Sequence, residues 1–420
     1  MAGTGKLFIL RITTVPSFDS KKMSSNLSLV DELAEVDWAF HNLSNEGVHS
    51  FHWYPATFLS AIPGTLIPIL TRKNDVVLDP FCGTATAGVE SIRLGRRFIG
   101  IDVNPVAILI AHAKLYAPEE ESFLRTLDIE NLRFRYLRWD PTKFSHPQTE
   151  TLLRWYHKRT YHELSFLVDH LRRIESAPLR KCAQAVFSSI LKNVSSQWRH
   201  WGWVCDNVAP KKDELQYRDA IDAFETASYD FIRSANRLVE DLRRRNDDTT
   251  RLSIRESAKL VCGDCLETMS RLENNSIHLI LSSPPYYGVA DYIKAQRLSL
   301  LWFDHPDLRA SGFGFSHFEE LRNREAGSRA FRHHKDSFER YVQYMAHFFV
   351  QSQRVLRANG YLALIVGESK ARAPTLETLI RTAQDSGLAV VYQSTRNIKE
   401  TRRRLMAKVR GEDIVILRVA

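Results

Sequence analysis

The apolar run Ile277-His-Leu-Ile-Leu281 ends at Ser283-Pro284-Pro285-Tyr286, and this junction constrains the fold more than any other stretch of the chain. Strand-forming residues that run into Pro-Pro predict a buried strand that stops there. Proline cannot donate to a β-ladder, and it biases the residue before it away from helix. In open α/β sheets a turn at a strand's carboxyl end is where chemistry is placed. The turn offers the Ser283 hydroxyl, the Pro284 carbonyl and the aromatic face of Tyr286. Two acceptors beside a stacking platform suit a planar heterocycle carrying an exocyclic amine. Taken alone, the Pro-Pro pair reads equally well as plain punctuation.

A second segment, two hundred residues upstream, changes that balance. Asp75-Val-Val-Leu-Asp79-Pro80-Phe81-Cys82-Gly83-Thr84-Ala85 predicts a strand and a tight turn, with a helix following through Gly95. Arg97-Phe-Ile-Gly-Ile-Asp102-Val-Asn104-Pro105 predicts a second strand ending in an acid. Strand, glycine turn, helix, strand and terminal Asp is the logic of a nucleotide-binding half-sheet, in which the acid accepts hydrogen bonds from a ribose diol. The turn lacks the G-x-G-x-x-G pattern, which argues against a dinucleotide pyrophosphate. Asp79 at the strand tip suits a cationic or amino-bearing ligand instead.

These three motifs, Asp79-Pro-Phe-Cys-Gly-Thr, Gly100-Ile-Asp-Val-Asn-Pro and Ser283-Pro-Pro-Tyr, resemble those of the amino-group DNA methyltransferases. That family methylates cytosine N4 or adenine N6 with S-adenosylmethionine. His49 to Ala56, containing Tyr54 and Pro55, resembles the segment that packs over the methionine end of the cofactor. Asp291 to Trp302 and Val355 to Gly367 also match the family pattern. The resemblance implies a Rossmann-like α/β methyltransferase sheet with Asp102 on the ribose, Asp264 near the adenine and Asp79 near the methionine, and with Pro80, Phe81, Cys82, Gly83 and Asn104 also binding the cofactor. It further implies catalysis at Ser283, Pro284, Pro285 and Tyr286, with no metal. One position departs from the pattern. The family has a second glycine where this chain has Ala85, and the expectation is a negative-φ backbone there that tolerates the methyl group.

The 420 residues are enough for a large core and predict two domains. Residues 23–115 and 258–420 read as a split methyltransferase domain, 116–257 as a mostly helical insertion, and 1–22 as an extension outside the family match. No apolar run approaches the ~20 residues that cross a bilayer, and Leu7 to Leu10 is too short for a signal segment; the expected location is cytoplasmic. Five cysteines do not suggest a disulfide framework. Cys262-Gly-Asp-Cys265 has metal-like spacing but no second ligand pair, and its alternative reading is a third strand with Asp264 at the tip.

A formal net charge of +9 implies a polyanionic partner. Arg396, Arg402, Arg403 and Arg404 belong to a basic run between two predicted strands, read either as a solvated face or as a DNA-backbone contact. Gln197 and Arg199 lie in a Trp-rich stretch within the insertion, read either as packing or as a surface for base edges. Phe313 to His334 is expected to form a mobile loop over the target base. The expected partner is double-stranded DNA, alongside a cognate restriction endonuclease. Two rival functions are an RNA guanine-N2 methyltransferase, against which stands Ser283 in place of Asp, and a non-catalytic DNA-binding protein with a decayed cofactor site, which Ala85 favours.

Overall fold

In the computed structural model, residues 28–41, 43–197, 209–245, 249–308, 314–369, 375–397 and 409–420 are described. The chain divides into two compact units, Met1–Val36 and Asp37–Ala420. In the first, Ser28 caps the short helix Leu29–Ala34 through a reciprocal pair with Asp31.

The second unit is built on a seven-stranded sheet. Its strands are β1 (Val76–Asp79), β2 (Arg97–Asp102), β3 (Ala258–Cys262), β4 (Ile277–Ser282), β5 (Leu356–Ser369), β6 (Leu388–Asn397) and β7 (Val409–Val419), in the spatial order 3-2-1-4-5-7-6. The first five run parallel, and β7 is antiparallel to both of its neighbours. This is the Rossmann-like sheet the motifs implied. The chain order reverses between β1 and β4, so their carboxyl ends flank the crevice where such sheets bind ligands. In register, Leu78 pairs with Ile280, which sets Asp79 at the tip of β1 beside the end of β4.

Buried strands explain the near-continuous apolar runs. On one side of the sheet, Met345, Phe348 and Phe349 of the helix Ser337–Val355 pack with Leu78, Ile280, Leu362 and Leu364. Each of these fully buried side chains contributes ~1.5–3 kcal/mol relative to an exposed one. On the other side, Val106, Leu109, Ile110 and Ala113 of the helix Pro105–Tyr116 join a cluster shared with the helices Lys158–Leu171, Ala177–Val194 and Ala220–Arg245. These last three helices lie between β2 and β3 in sequence, and the periodic residues Leu164, Leu167, Val168 and Leu171 are all buried. No described helix is long and apolar enough to cross a membrane.

Three expectations are corrected. β6 reaches Asn397 and β7 begins at Val409, so Arg396 is a strand residue, not a loop residue. The described part of the stretch expected as a loop over the target base is built of helical turns, at Phe315–His317, Phe318–Asn323 and Arg329–Phe331. Ala85, expected at negative φ, has φ +56° and ψ +46° as the residue before the helix Thr86–Arg93. The left-handed conformation is imposed from both sides. Ala85 N–H donates to the Cys82 carbonyl at 2.7 Å, and its own carbonyl accepts from Val89 N–H at 3.0 Å. Ala85→Gly is therefore expected to stabilise the fold by about 1 kcal/mol, the relieved strain less the added unfolded-state entropy of glycine. A raised urea midpoint would show this; a lowered one would mean that packing of the buried methyl outweighs the strain.

Candidate active site

The turn Pro80–Ala85 is held against β2 by a backbone bond from Cys82 N–H to the Ile101 carbonyl, 2.9 Å. Gly83 sits at φ +49°, and a Cβ on it would lie 3.5 Å from the Tyr54 ring. Its N–H donates to Asp102 Oδ2 at 2.8 Å, while Asn104 N–H donates to Asp102 Oδ1, also at 2.8 Å. Asn104 then caps the helix Pro105–Tyr116 by accepting from Val106 N–H, and its Nδ2 donates to the Tyr54 hydroxyl at 3.1 Å. Gly83, Asp102, Asn104 and Tyr54 thus form one connected wall. Burial pushes the Asp102 carboxyl up to about 6, against the lowering effect of its two backbone donors.

Asp79 is fully buried. Its Oδ1 accepts from Ser282 Oγ at 2.5 Å and from Phe81 N–H at 3.2 Å. Its Oδ2 has no partner among the described residues. Burial dominates and raises this carboxyl to about 7. No opposite charge keeps it ionised among the described residues.

The facing wall comes from the end of β4 and from later segments. Ser283 and Pro285 line the same cleft as Tyr54, Phe81, Gly83 and Asp102. Pro284 is buried. Tyr286 is also buried, and its ring lies against β5 so closely that a Cβ on Gly367 would fall 2.3 Å from it. Its face is therefore not an open platform in this structure. Its hydroxyl instead accepts from Ser283 Oγ at 3.0 Å and donates to Glu412 Oε1 at 3.3 Å.

Asp264 stands one layer back. Its Oδ1 caps the helix Cys265–Ser270 through Leu266 and Glu267 N–H, and its Oδ2 accepts from the hydroxyl of Tyr344, which lines the cleft. Arg396 is buried and paired with Glu412 at 3.3 Å, so it does not present its charge to solvent. Gln197 is buried as well. Arg199, Arg402, Arg403 and Arg404 lie outside the described residues.

Sequence reasoning missed three groups. Tyr344 comes from an amphipathic helix whose pattern marks only its buried face. Glu325 lines the cleft, accepts from Ile293 N–H at 2.7 Å and is raised by burial to about 8. Lys114 is fully buried, donates to Thr84 Oγ1 at 2.9 Å and is lowered by burial to about 7. No local pattern distinguishes these from surface charges.

A Rossmann-like sheet whose β1 turn and β2 acid face a Ser-Pro-Pro-Tyr strand end defines a nucleoside-cofactor methyltransferase architecture. A family model described as DNA methylase matches residues 12–113, reaching into the stretch read as outside the family. A type II methyltransferase, M.BsoBI of Geobacillus stearothermophilus, is 24% identical over 281 residues, covering 61% of this chain and 53% of the relative. M.MvaI of Kocuria varians is 21% identical, covering 62% and 58%. M2.DpnII of Streptococcus pneumoniae is 50% identical over 50 residues, covering 12% and 19%. The chain spans a little over half the length of M.BsoBI and of M.MvaI. Over these stretches the chain is similar to the amino-methyltransferases, and the cofactor this similarity implies is S-adenosylmethionine.

The raised Asp79 carboxyl has a measurable consequence. An ordinary Asp titrates near 3.8 and Asp79 at about 7, so the native state binds more protons than the unfolded state between those values. Its contribution to stability is full below the lower value and is lost as pH rises through the upper one. Asp79→Asn cannot ionise, so it should gain stability relative to the parent as pH rises from about 4 to 7. Unfolding midpoints of the two proteins should diverge across that range. Parallel curves would show the buried carboxylate to be fully compensated.

Proposed function

We infer that the protein is a DNA methyltransferase of restriction-modification type, acting on the exocyclic amine of a flipped base, with cytosine N4 favoured over adenine N6. The observation that carries this reading is a single cleft with the Gly83–Asp102–Asn104–Tyr54 wall on one side and the Ser283 hydroxyl on the other. S-adenosylmethionine, when bound, supplies an electrophilic methyl group on a sulfonium. Each Asp102 oxygen already takes one backbone N–H and keeps a lone pair for a ribose hydroxyl. The unpartnered Oδ2 of Asp79 suits the ammonium of an amino acid, with Tyr54 and Pro55 closing over that end.

A base stacked inside duplex DNA cannot present its amine to this cleft, so it must swing out. Ser283 and the Pro284 carbonyl then accept its two amine hydrogens and draw the nitrogen toward sp³ geometry, which frees its lone pair. Holding amine and methyl in line supplies most of the acceleration. Serine before Pro-Pro favours cytosine. For Tyr286 to stack on the base, its ring face must be uncovered when DNA binds while its hydroxyl keeps its bonds to Ser283 and Glu412. The basic residues Arg199, Arg402, Arg403 and Arg404 complete the reading as DNA contacts, and the helical segment 116–257 as the target-recognition region. A cognate endonuclease is the partner such an enzyme would have.

Purified protein given labelled cofactor and duplex DNA should yield N4-methylcytosine on nucleoside mass spectrometry. N6-methyladenine would overturn the base preference, and label in tRNA but not in DNA would overturn the whole reading. Ser283→Ala should lower turnover about tenfold or more while leaving cofactor affinity within about twofold.

A further inference from the structure

Four buried or half-buried side chains run in file from the far strands of the sheet to the cleft. Arg396 on β6 and Glu412 on β7 are direct cross-strand partners, joined from Nη1 to Oε2 at 3.3 Å. The other carboxylate oxygen, Oε1, accepts from the Tyr286 hydroxyl at 3.3 Å. Tyr286 in turn accepts from Ser283 Oγ at 3.0 Å, and Ser283 lines the cleft.

The direction of every proton in this file follows from counting. A guanidinium only donates, and an ionised carboxylate only accepts. Arg396, beside Glu412, favours the ionised form of that carboxyl. Tyr286 has one proton, and its bond to Glu412 uses it. Burial, with Glu412 next to it, holds that hydroxyl protonated far above the ordinary tyrosine range. The Tyr286 oxygen is therefore left as an acceptor, and Ser283 spends its single proton on it. What remains of Ser283 facing the cleft is lone pairs.

We propose that the Arg396–Glu412–Tyr286 file fixes Ser283 as an obligate hydrogen-bond acceptor, so that Glu412 and Arg396 are positioning residues for the amine that Ser283 receives. The proposal rests on the methyltransferase reading above. A serine hydroxyl without such a file rotates freely and can turn its own proton toward an incoming amine, setting donor against donor. Here that orientation would break the bond to Tyr286. The device also gives a purpose to a buried charge pair that sits well behind the reacting atoms. Gly367 belongs to it as well, since only a residue without Cβ lets the Tyr286 ring lie flat enough against β5 to reach Glu412.

Glu412→Gln reverses the file. Arg396 still requires an oxygen, so the Gln amide nitrogen must face Tyr286 and donate to it. Tyr286 then donates to Ser283, and the serine proton is turned into the cleft. This near-isosteric change is expected to cut kcat on duplex DNA about tenfold or more, with cofactor affinity and melting temperature little changed. Tyr286→Phe merely releases Ser283, which can still rotate to accept, so its loss should be smaller. The double variant should recover from the Glu412→Gln level to that of Tyr286→Phe, because cutting the file cancels its inversion. Losses that add in the double variant, or an unchanged kcat in Glu412→Gln, would overturn the proposal. So would an equal fall in cofactor affinity, which marks a merely structural role. Wild-type activity with additive variants would overturn the file alone; wild-type protein that transfers no methyl to DNA would overturn the underlying reading as well.

Discussion

The carboxylate of Asp102 holds the site together. It is the last residue of β2, and its two oxygens take one backbone N–H from the β1 turn and one from the start of the next helix. Two successive strand–turn–helix units are thereby locked to each other at the sheet's switch point. Gly83 cannot leave its left-handed conformation without losing that bond, and the conformation of Ala85 follows two residues later. Asn104 extends the lock to Tyr54, which brings in the segment before β1. A ligand arriving at this wall meets donors and acceptors already in place, so little ordering remains to be done on binding.

The same region carries polar groups that the protein alone does not compensate. Asp79 has an unpartnered oxygen among the described residues, Glu325 is raised well above the ordinary carboxyl range, and Lys114 is buried on a single threonine. Burial disfavours the charged form of each. Their concentration around one cleft, together with the strained Ala85, is the pattern expected where stability has been given up for function. The buried file behind Ser283 differs in kind. There each hydrogen bond has a defined direction and the charge of Glu412 is matched by Arg396, although Arg396 Nε has no partner among the described residues.

Much of the sheet was legible in the sequence because its signals are local. Apolar runs ending at Asp79-Pro80, at Asp102 and at Ser283-Pro284 mark β1, β2 and β4 through proline, glycine and acid punctuation that acts over a few residues. What failed depended on distant partners. The seven-residue basic cluster from Arg396 to Arg410 looks solvated, yet Arg396 meets Glu412 across a ladder whose register no single strand reveals. Tyr286 reads as an open aromatic face, yet Gly367, eighty residues on, admits it into the sheet. The bond from the Tyr344 hydroxyl to Asp264 Oδ2 joins residues 80 apart and is likewise invisible from the strand end alone. Ala85 misled for the opposite reason, since the local preference of alanine for negative φ is overridden by the turn around it.

Calorimetric titration of S-adenosylmethionine into the wild-type protein and into Asp102→Ala tests the central claim most directly. A buried charge-assisted hydrogen bond is worth roughly 1.5–3 kcal/mol, so the variant should bind about ten- to a hundredfold more weakly. Unchanged affinity would show that the wall built on Asp102 does not hold the cofactor, and the assignment of this cleft would fall with it.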